Sequence, residues 1–325
     1  MIRTPSTVLC FGLLLVMFLP GCSTAQHIDP ATVPDQQQLK LYQGDPPGEP
    51  TWDQNKPMPD MTEGKGGRLS FVHEPVLDVY HAKGENRTGA AVVICPGGGY
   101  GILAYNHEGH EVAQWLNKNG ITGVILRYRM RPYRHPVPMM DVQRALQTVR
   151  ANANKWALDA DRIGVLGFSA GGHLASTAAT HFAEPDPSNN DPVLRVTSRP
   201  DFAVLIYPVV TMRDWSHGGS RRNLLGSEPT DEYIALLSNE EQVDENTPPT
   251  FLVHSKDDKA VPIKNSEMFL AALKKHNVSG ELMVFETGGH GYGLGRGRND
   301  ANNTHETDTW PKRCIEWFDE QGVLD

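Results

Sequence analysis

Cysteine is scarce in this chain, with four in 325 residues. Two of them, Cys10 and Cys22, fall in the first 22 positions, so only Cys95 and Cys314 remain for the body of the protein. Two cysteines cannot form the disulfide framework of a small secreted scaffold. Cys95 closes an apolar strand-like run and reads as a small hydrophobe. An excess of positive charge is also missing. The formal net charge is −9, and no basic run stands out, so phosphate-backbone binding to nucleic acid has no electrostatic support. No internal repeat is visible, and no apolar stretch is long enough for a permanent membrane span. Glycine-rich turns occur, but none is followed by the Gly-Lys-Ser/Thr of a phosphate-binding loop. His107-Glu108-Gly109-His110-Glu111 lacks the histidine at 111 that a helical zinc motif needs, so a polar first helical turn is the simpler reading. No metal is expected.

The first 22 residues read as an export leader. Arg3 supplies positive charge, residues 8–19 are apolar and uncharged, and Leu19-Pro20-Gly21-Cys22 closes the run. That tetrapeptide resembles the lipobox of bacterial lipoproteins, in which Cys22 would carry the lipid; ordinary secretion is the alternative. By the same resemblance, Ser23 in place of Asp implies outer-membrane sorting in the cell envelope. Without the leader the chain keeps 29 basic and 39 acidic residues. Residues 23–67 are rich in Pro, Gln, Gly and Asp and read as an extended tether. The expected organisation is therefore leader 1–22, tether 23–67 and a folded domain 68–325.

Within that domain, strand-like and helix-like segments alternate. Strands are expected over 76–80, 90–94, 122–128, 162–166, 203–207, 250–254 and 281–285. Helices are expected over 108–118, 141–152, 263–275 and 308–318. In the second of these, Val142, Ala145, Leu146 and Val149 share one apolar face. Such alternation implies an α/β domain, a mainly parallel sheet covered on both faces. Residues 212–248 interrupt the rhythm and are expected to form a small helical insertion over the site. Trp215, His217, Arg221 and Arg222 could line its mouth or be ordinary exposed loop.

Gly167-Phe168-Ser169-Ala170-Gly171 lies between an apolar strand and a helix-like stretch. G-x-S-x-G in that setting makes a tight turn that lifts the serine hydroxyl above the sheet and leaves helix-start N–H groups free. A serine needs a base to take its proton and a carboxylate to orient that base, in the order Ser, acid, His. His254-Ser255-Lys256-Asp257-Asp258-Lys259-Ala260-Val261-Pro262 follows a late strand and offers Asp258, with Asp257 as the alternative. His290 lies in Gly288-Gly289-His290-Gly291-Tyr292-Gly293 and is the expected base. His276 at a helix end, His305 in a polar stretch and His173 on the elbow helix have structural readings. An oxyanion needs preorganised donors. Gly98 and Gly99 of Pro96-Gly97-Gly98-Gly99-Tyr100, with Ala170, are the candidates.

Together these segments resemble the α/β-hydrolase fold. Residues 93–100, 162–176 and 288–293 resemble bacterial secreted esterases of the acetylxylan and feruloyl esterase type, and the resemblance extends from about residue 68 to the end. Pro96 stands where lipases carry a histidine before the glycines, and Ser255 where the acid segment usually has glycine. The resemblance implies a cofactor-free serine esterase that removes acyl groups from plant polysaccharide, with an acylated carbohydrate or small ester as partner and membrane contact through the lipid alone. A xylanase label sometimes attached to such proteins does not follow from these residues, because glycoside cleavage uses a flanking carboxylate pair. A prolyl-oligopeptidase-type peptidase and a non-catalytic binding protein are the rival readings.

Overall fold

A computed structural model describes Met1 and residues 34–53, 55–295 and 306–325. The leader beyond Met1, with its cysteine Cys22, the first part of the expected tether and His305 lie outside the described residues.

Among the described residues there are ten strands: β1 (Gln36–Lys40), β2 (Thr62–Gly64), β3 (Arg68–Ser70), β4 (Val76–Tyr80), β5 (Ala91–Cys95), β6 (Thr122–Arg127), β7 (Ile163–Phe168), β8 (Ala203–Ile206), β9 (Thr250–Ser255) and β10 (Gly280–Phe285). Eight of them form one sheet in the order β1-β4-β6-β5-β7-β8-β9-β10. The two pairings at the β1 edge are antiparallel, and the others are parallel. The helices are α1 (Glu111–Lys118), α2 (Val137–Ala151), α3 (Ala153–Trp156), α4 (Ala170–Thr180), α5 (Gly218–Leu225), α6 (Asp231–Leu236), α7 (Lys264–Lys275) and α8 (Trp310–Glu320). A π-helical turn, Asn106–His110, runs into α1.

Strand alternation explains how the sheet is covered. On β5, Ala91, Val93 and Cys95 face one core with Val142 and Leu146 of α2, Leu174 of α4 and Phe269 of α7. Val92 and Ile94 face the other, with Leu116 of α1 and Trp310, Trp317 and Phe318 of α8. Residues wetted on neither face make an unbroken apolar run, which is why the central strands do not alternate in sequence. Cys95 and Cys314 belong to opposite cores and are both free thiols, so the sheet lies between them. Burial pushes both thiols up from their ordinary range.

The expected tether does not hold from residue 36 onward. Gln36–Lys40 is an edge strand of the main sheet, paired with β4, and β2 and β3 form a separate hairpin. Its Gln-rich look comes from the exposed positions of an edge strand, whereas Leu41 just beyond it is buried. The hairpin is tied to the body by a bridge, Leu69 N–H donating to the Leu103 carbonyl (3.0 Å) and Leu103 N–H to that of Leu69 (2.8 Å). The folded unit therefore starts near residue 36 rather than 68. The segment between β8 and β9 carries α5 and α6, as the broken rhythm implied.

Candidate active site

The site lies at the carboxyl ends of the parallel strands, where open α/β sheets bind ligands. Ser169 sits in the turn from β7 to α4 with φ 53° and ψ −118°, a conformation costly for a non-glycine residue. The flanking glycines make that turn possible. A Cβ on Gly167 would stand 2.1 Å from the Gly171 carbonyl oxygen, and one on Gly171 would stand 2.0 Å from that of Cys95. Neither position tolerates a side chain, because strand and helix close on each other there. The turn is held by Ser169 N–H donating to the Ile206 carbonyl (3.0 Å) and by Val209 N–H donating to that of Ser169 (3.0 Å).

His290 Nε2 lies 2.8 Å from Ser169 Oγ, and His290 Nδ1 lies 2.6 Å from Asp258 Oδ2. A carboxylate only accepts, so Nδ1 carries the proton and Nε2 accepts from the serine hydroxyl. Asp258 is fixed in turn: its Oδ1 accepts from Ala260 N–H (2.8 Å) and Val261 N–H (2.9 Å). Burial would raise its pKa, but hydrogen bonds from His254, His290 and Val261 N–H override burial and hold it well below the usual carboxylate range. Buried His254 donates from Nε2 to the Val261 carbonyl (2.9 Å) and accepts at Nδ1 from Ser266 (2.8 Å), which fixes the floor of the acid loop. Asp257, the alternative acid, accepts instead from Gly289 N–H (2.8 Å) and thereby tethers the histidine loop. Asp258 is the carboxylate in contact with His290.

Gly98 (φ 133°) and Gly99 (φ 63°) lie across the cleft from His290 in conformations that side chains disfavour. Ala170 is the first residue of α4, and its N–H is an orphan of the helix start. Among the described hydrogen bonds none uses the N–H of Gly98, Gly99 or Ala170. The cleft, about 390 Å³, is lined by Gly98, Gly99, Ser169 and His290 together with Arg68, His217 and Asn223. A larger hollow of about 620 Å³ lies against α1 beyond Tyr292 and contains neither Ser169 nor His290.

Several residues in or under the cleft gave no functional signal in the sequence. Glu108, from the rejected metal-like motif, is buried and accepts from Gly97 N–H (2.8 Å) and Tyr207 Oη–H (2.9 Å). Tyr207 Oη accepts in turn from Gly293 N–H (2.9 Å), so one carboxylate and one phenol join the glycine loop to the histidine loop. Burial would raise the Glu108 pKa; the adjacent His107, the Tyr207 hydroxyl and Gly97 N–H bring it below the ordinary value. His110 points elsewhere, to Tyr80 (2.8 Å) and Gln114 (3.0 Å), and no metal-ligand cluster occurs among the described residues. His173 is wholly buried, donating from Nε2 to the Leu237 carbonyl (2.8 Å) and accepting at Nδ1 from Tyr100 (2.9 Å). It cannot serve Ser169. His276 ends α7. Of the insertion residues considered from sequence, His217 lines the cleft, whereas Trp215, Arg221 and Arg222 are not among its lining residues.

The family model described as BD-FAE matches residues 77–273, a span that holds the glycine loop, Ser169 and Asp258. The chain belongs to the BD-FAE family. It is 36% identical over 204 residues to the Endo-1,4-beta-xylanase B of Butyrivibrio fibrisolvens, covering 62% of this chain and 32% of that protein. It is 34% identical over 216 residues to the Acetylxylan esterase of Xylanibacter ruminicola, covering 65% and 42%. The chain thus spans less than half the length of these two curated relatives. The crystal structure of an acetyl ester-xyloside bifunctional hydrolase from Caldicellulosiruptor lactoaceticus is 40% identical, with a TM-score of 0.78, over 90% of this chain and 99% of that one. The fold of this BD-FAE member is that of an α/β-hydrolase.

Proposed function

We propose that this protein is a serine carboxylic ester hydrolase that removes acyl groups, acetyl or feruloyl, from plant-type polysaccharide. One observation carries the reading: the unbroken hydrogen-bonded chain Ser169–His290–Asp258 opening onto a cleft walled by Gly98 and Gly99. Ser169 Oγ attacks the acyl carbon while His290 Nε2 takes its proton, and the resulting imidazolium is held by Asp258. The oxyanion is received by the N–H groups of Gly98, Gly99 and Ala170. His290 then returns the proton to the departing sugar hydroxyl, leaving an acyl group on Ser169. Water, deprotonated by His290, attacks that ester; the acid leaves and Ser169 recovers its proton. No step calls on a metal or cofactor.

The names of the relatives support the acyl-carbohydrate substrate class. Two of those names also mention xylan or xyloside cleavage. Glycoside hydrolysis needs one carboxyl to protonate the leaving oxygen and another at the anomeric carbon. Here Glu108 and Asp258 are buried and committed to backbone and side-chain donors, an arrangement that favours ester chemistry. We further propose, from the leader alone, a cell-envelope lipoprotein anchored through Cys22. Loss of membrane association in Cys22→Ser would support the anchor, and retention would refute it.

The test of the activity is hydrolysis of short aryl esters, acetylated xylan, methyl ferulate, an aryl xyloside and a proline peptide, with Ser169→Ala as control. Acetate or ferulate release that vanishes in the variant is expected. Serine-dependent cleavage of peptide alone would move the protein to the peptidases, and no serine-dependent turnover on any substrate would make it a binding protein.

A further inference from the structure

His217 occupies a position in the cleft that the triad does not use. It is the residue that caps α5, on the insertion between β8 and β9, and its Nδ1 accepts from Ser220 N–H at 3.2 Å. Ser220 Oγ lies 2.9 Å from the same nitrogen. A nitrogen that accepts from a backbone N–H has its lone pair free, so in the neutral ring the proton sits on Nε2. The cap therefore sets the tautomer. Burial, and after it the proximity of His290, hold the imidazole below its ordinary pKa, which keeps the ring neutral at neutral pH. Nε2 makes no hydrogen bond among the described residues, yet it is not a sealed orphan inside the protein.

The ring stands over the glycine loop. Its Cε1 lies 3.7 Å from where a Cβ on Gly99 would be, and nearly two turns along α5 Asn223 Nδ2 donates to the Gly99 carbonyl at 2.8 Å. Cap and clamp thus fix α5 against the glycine loop, and His217 lines the same cleft as Ser169, Gly99 and His290. An ester in this cleft places its carbonyl oxygen toward Gly98 and Gly99, so its alcohol half extends into the open part of the cleft. A fixed, neutral N–H donor there has no use for an alkyl or aryl alcohol. It matches a hydroxyl or ring oxygen close to the ester on a polyhydroxylated alcohol.

Resting on the esterase reading above, we propose that His217 is a specificity-determining residue whose Nε2–H donates a hydrogen bond to the sugar portion of the substrate. A site built to satisfy such a bond discriminates strongly against alcohols that lack the acceptor. The decisive variant is His217→Asn. Asparagine is a good helix cap and keeps the acceptor for Ser220 N–H, but it is too short to present a donor over Gly99. The full chain and the variant are compared on an O-acetylated xylo-oligosaccharide and on 4-nitrophenyl acetate, with thermal melts to check that the fold survives. The expected result is a fall of about 10-fold or more in the ratio of kcat/KM for the sugar ester to that for the aryl ester, carried mainly by KM. His217→Phe, which keeps an aromatic ring but removes both the donor and the cap acceptor, should lower the same ratio. An unchanged ratio in both variants overturns the assignment of His217 and leaves the esterase standing. A wild-type protein that cleaves the aryl ester but not the sugar ester overturns both the polysaccharide substrate and this role. No serine-dependent turnover on either ester overturns the esterase reading and the inference with it.

Discussion

Tyr207→Phe removes one oxygen atom from a fully buried position and tests whether the two halves of the site are joined as described. The ring contacts with Phe168, His290 and Tyr292, at centroid separations of 5.8, 4.8 and 4.5 Å, need no hydroxyl and should persist. Two hydrogen bonds disappear. The one to Glu108 Oε1 has a charged acceptor and is worth about 1.5–3 kcal/mol. The other leaves the buried Gly293 N–H without an acceptor, at about 1–3 kcal/mol. The losses share one oxygen, so about 3–5 kcal/mol together is a reasonable expectation. In a domain of this size each kcal/mol moves the melting midpoint by roughly 2 °C, which predicts a fall of about 6–10 °C. Differential scanning calorimetry or a circular-dichroism melt reads it directly. Activity should fall as well, by roughly 10-fold in kcat, because Gly293 is three residues from His290 and Gly97 is next to Gly98. A midpoint within about 2 °C of wild type would show that water replaces the hydroxyl and would refute the reasoning. The double variant with Glu108→Gln completes a thermodynamic cycle. Strict additivity would mean that Glu108 and Tyr207 do not act as a pair.

Asp258→Asn should lower kcat by about 10³–10⁴-fold, since the amide no longer holds His290 in the required tautomer. Asp257→Ala, which loses only the bond to Gly289 N–H, should cost less than about 10-fold; equal losses from the two variants would undo the assignment. Because the folded Asp258 pKa is lowered, the stability it contributes is fully present above the unfolded value near 4 and is lost as pH falls through the folded one. The stability gap between wild type and Asp258→Asn should therefore be widest at neutral pH and shrink below about pH 4, as urea melts across that range would record. Gly171→Ala forces a Cβ to within 2.0 Å of the Cys95 carbonyl oxygen and should destabilise by more than about 4 kcal/mol or abolish soluble expression. A variant that melts within about 2 °C of wild type would contradict the account of the elbow.

The sequence by itself determined the architecture and the three side chains that meet in the cleft, because both rest on short-range patterns. The apolar runs of β5, β7, β8 and β9, and the helices between them, follow from local periodicity. Ser169, Asp258 and His290 were legible because each sits in a turn whose chemistry is local: an elbow between two glycines, an acid loop after a strand, a histidine in a glycine cage. Tertiary structure decided whatever depends on partners distant in sequence. Gln36–Lys40 looked like tether because an edge strand that shows half its residues to water has a polar composition, and only its pairing with β4 reveals it. Asp257 and Asp258 are adjacent and chemically identical; the turn that gives one to His290 and the other to Gly289 N–H separates them. Glu108 read as no more than part of a polar first helical turn, and its meaning waits on Tyr207, which is 99 residues away. His217 is one histidine in a polar insertion until α5 folds and Ser220 fixes its tautomer over Gly99. Pattern reports which face of an element is buried, whereas a hydrogen bond between distant segments exists only once the sheet has brought them together.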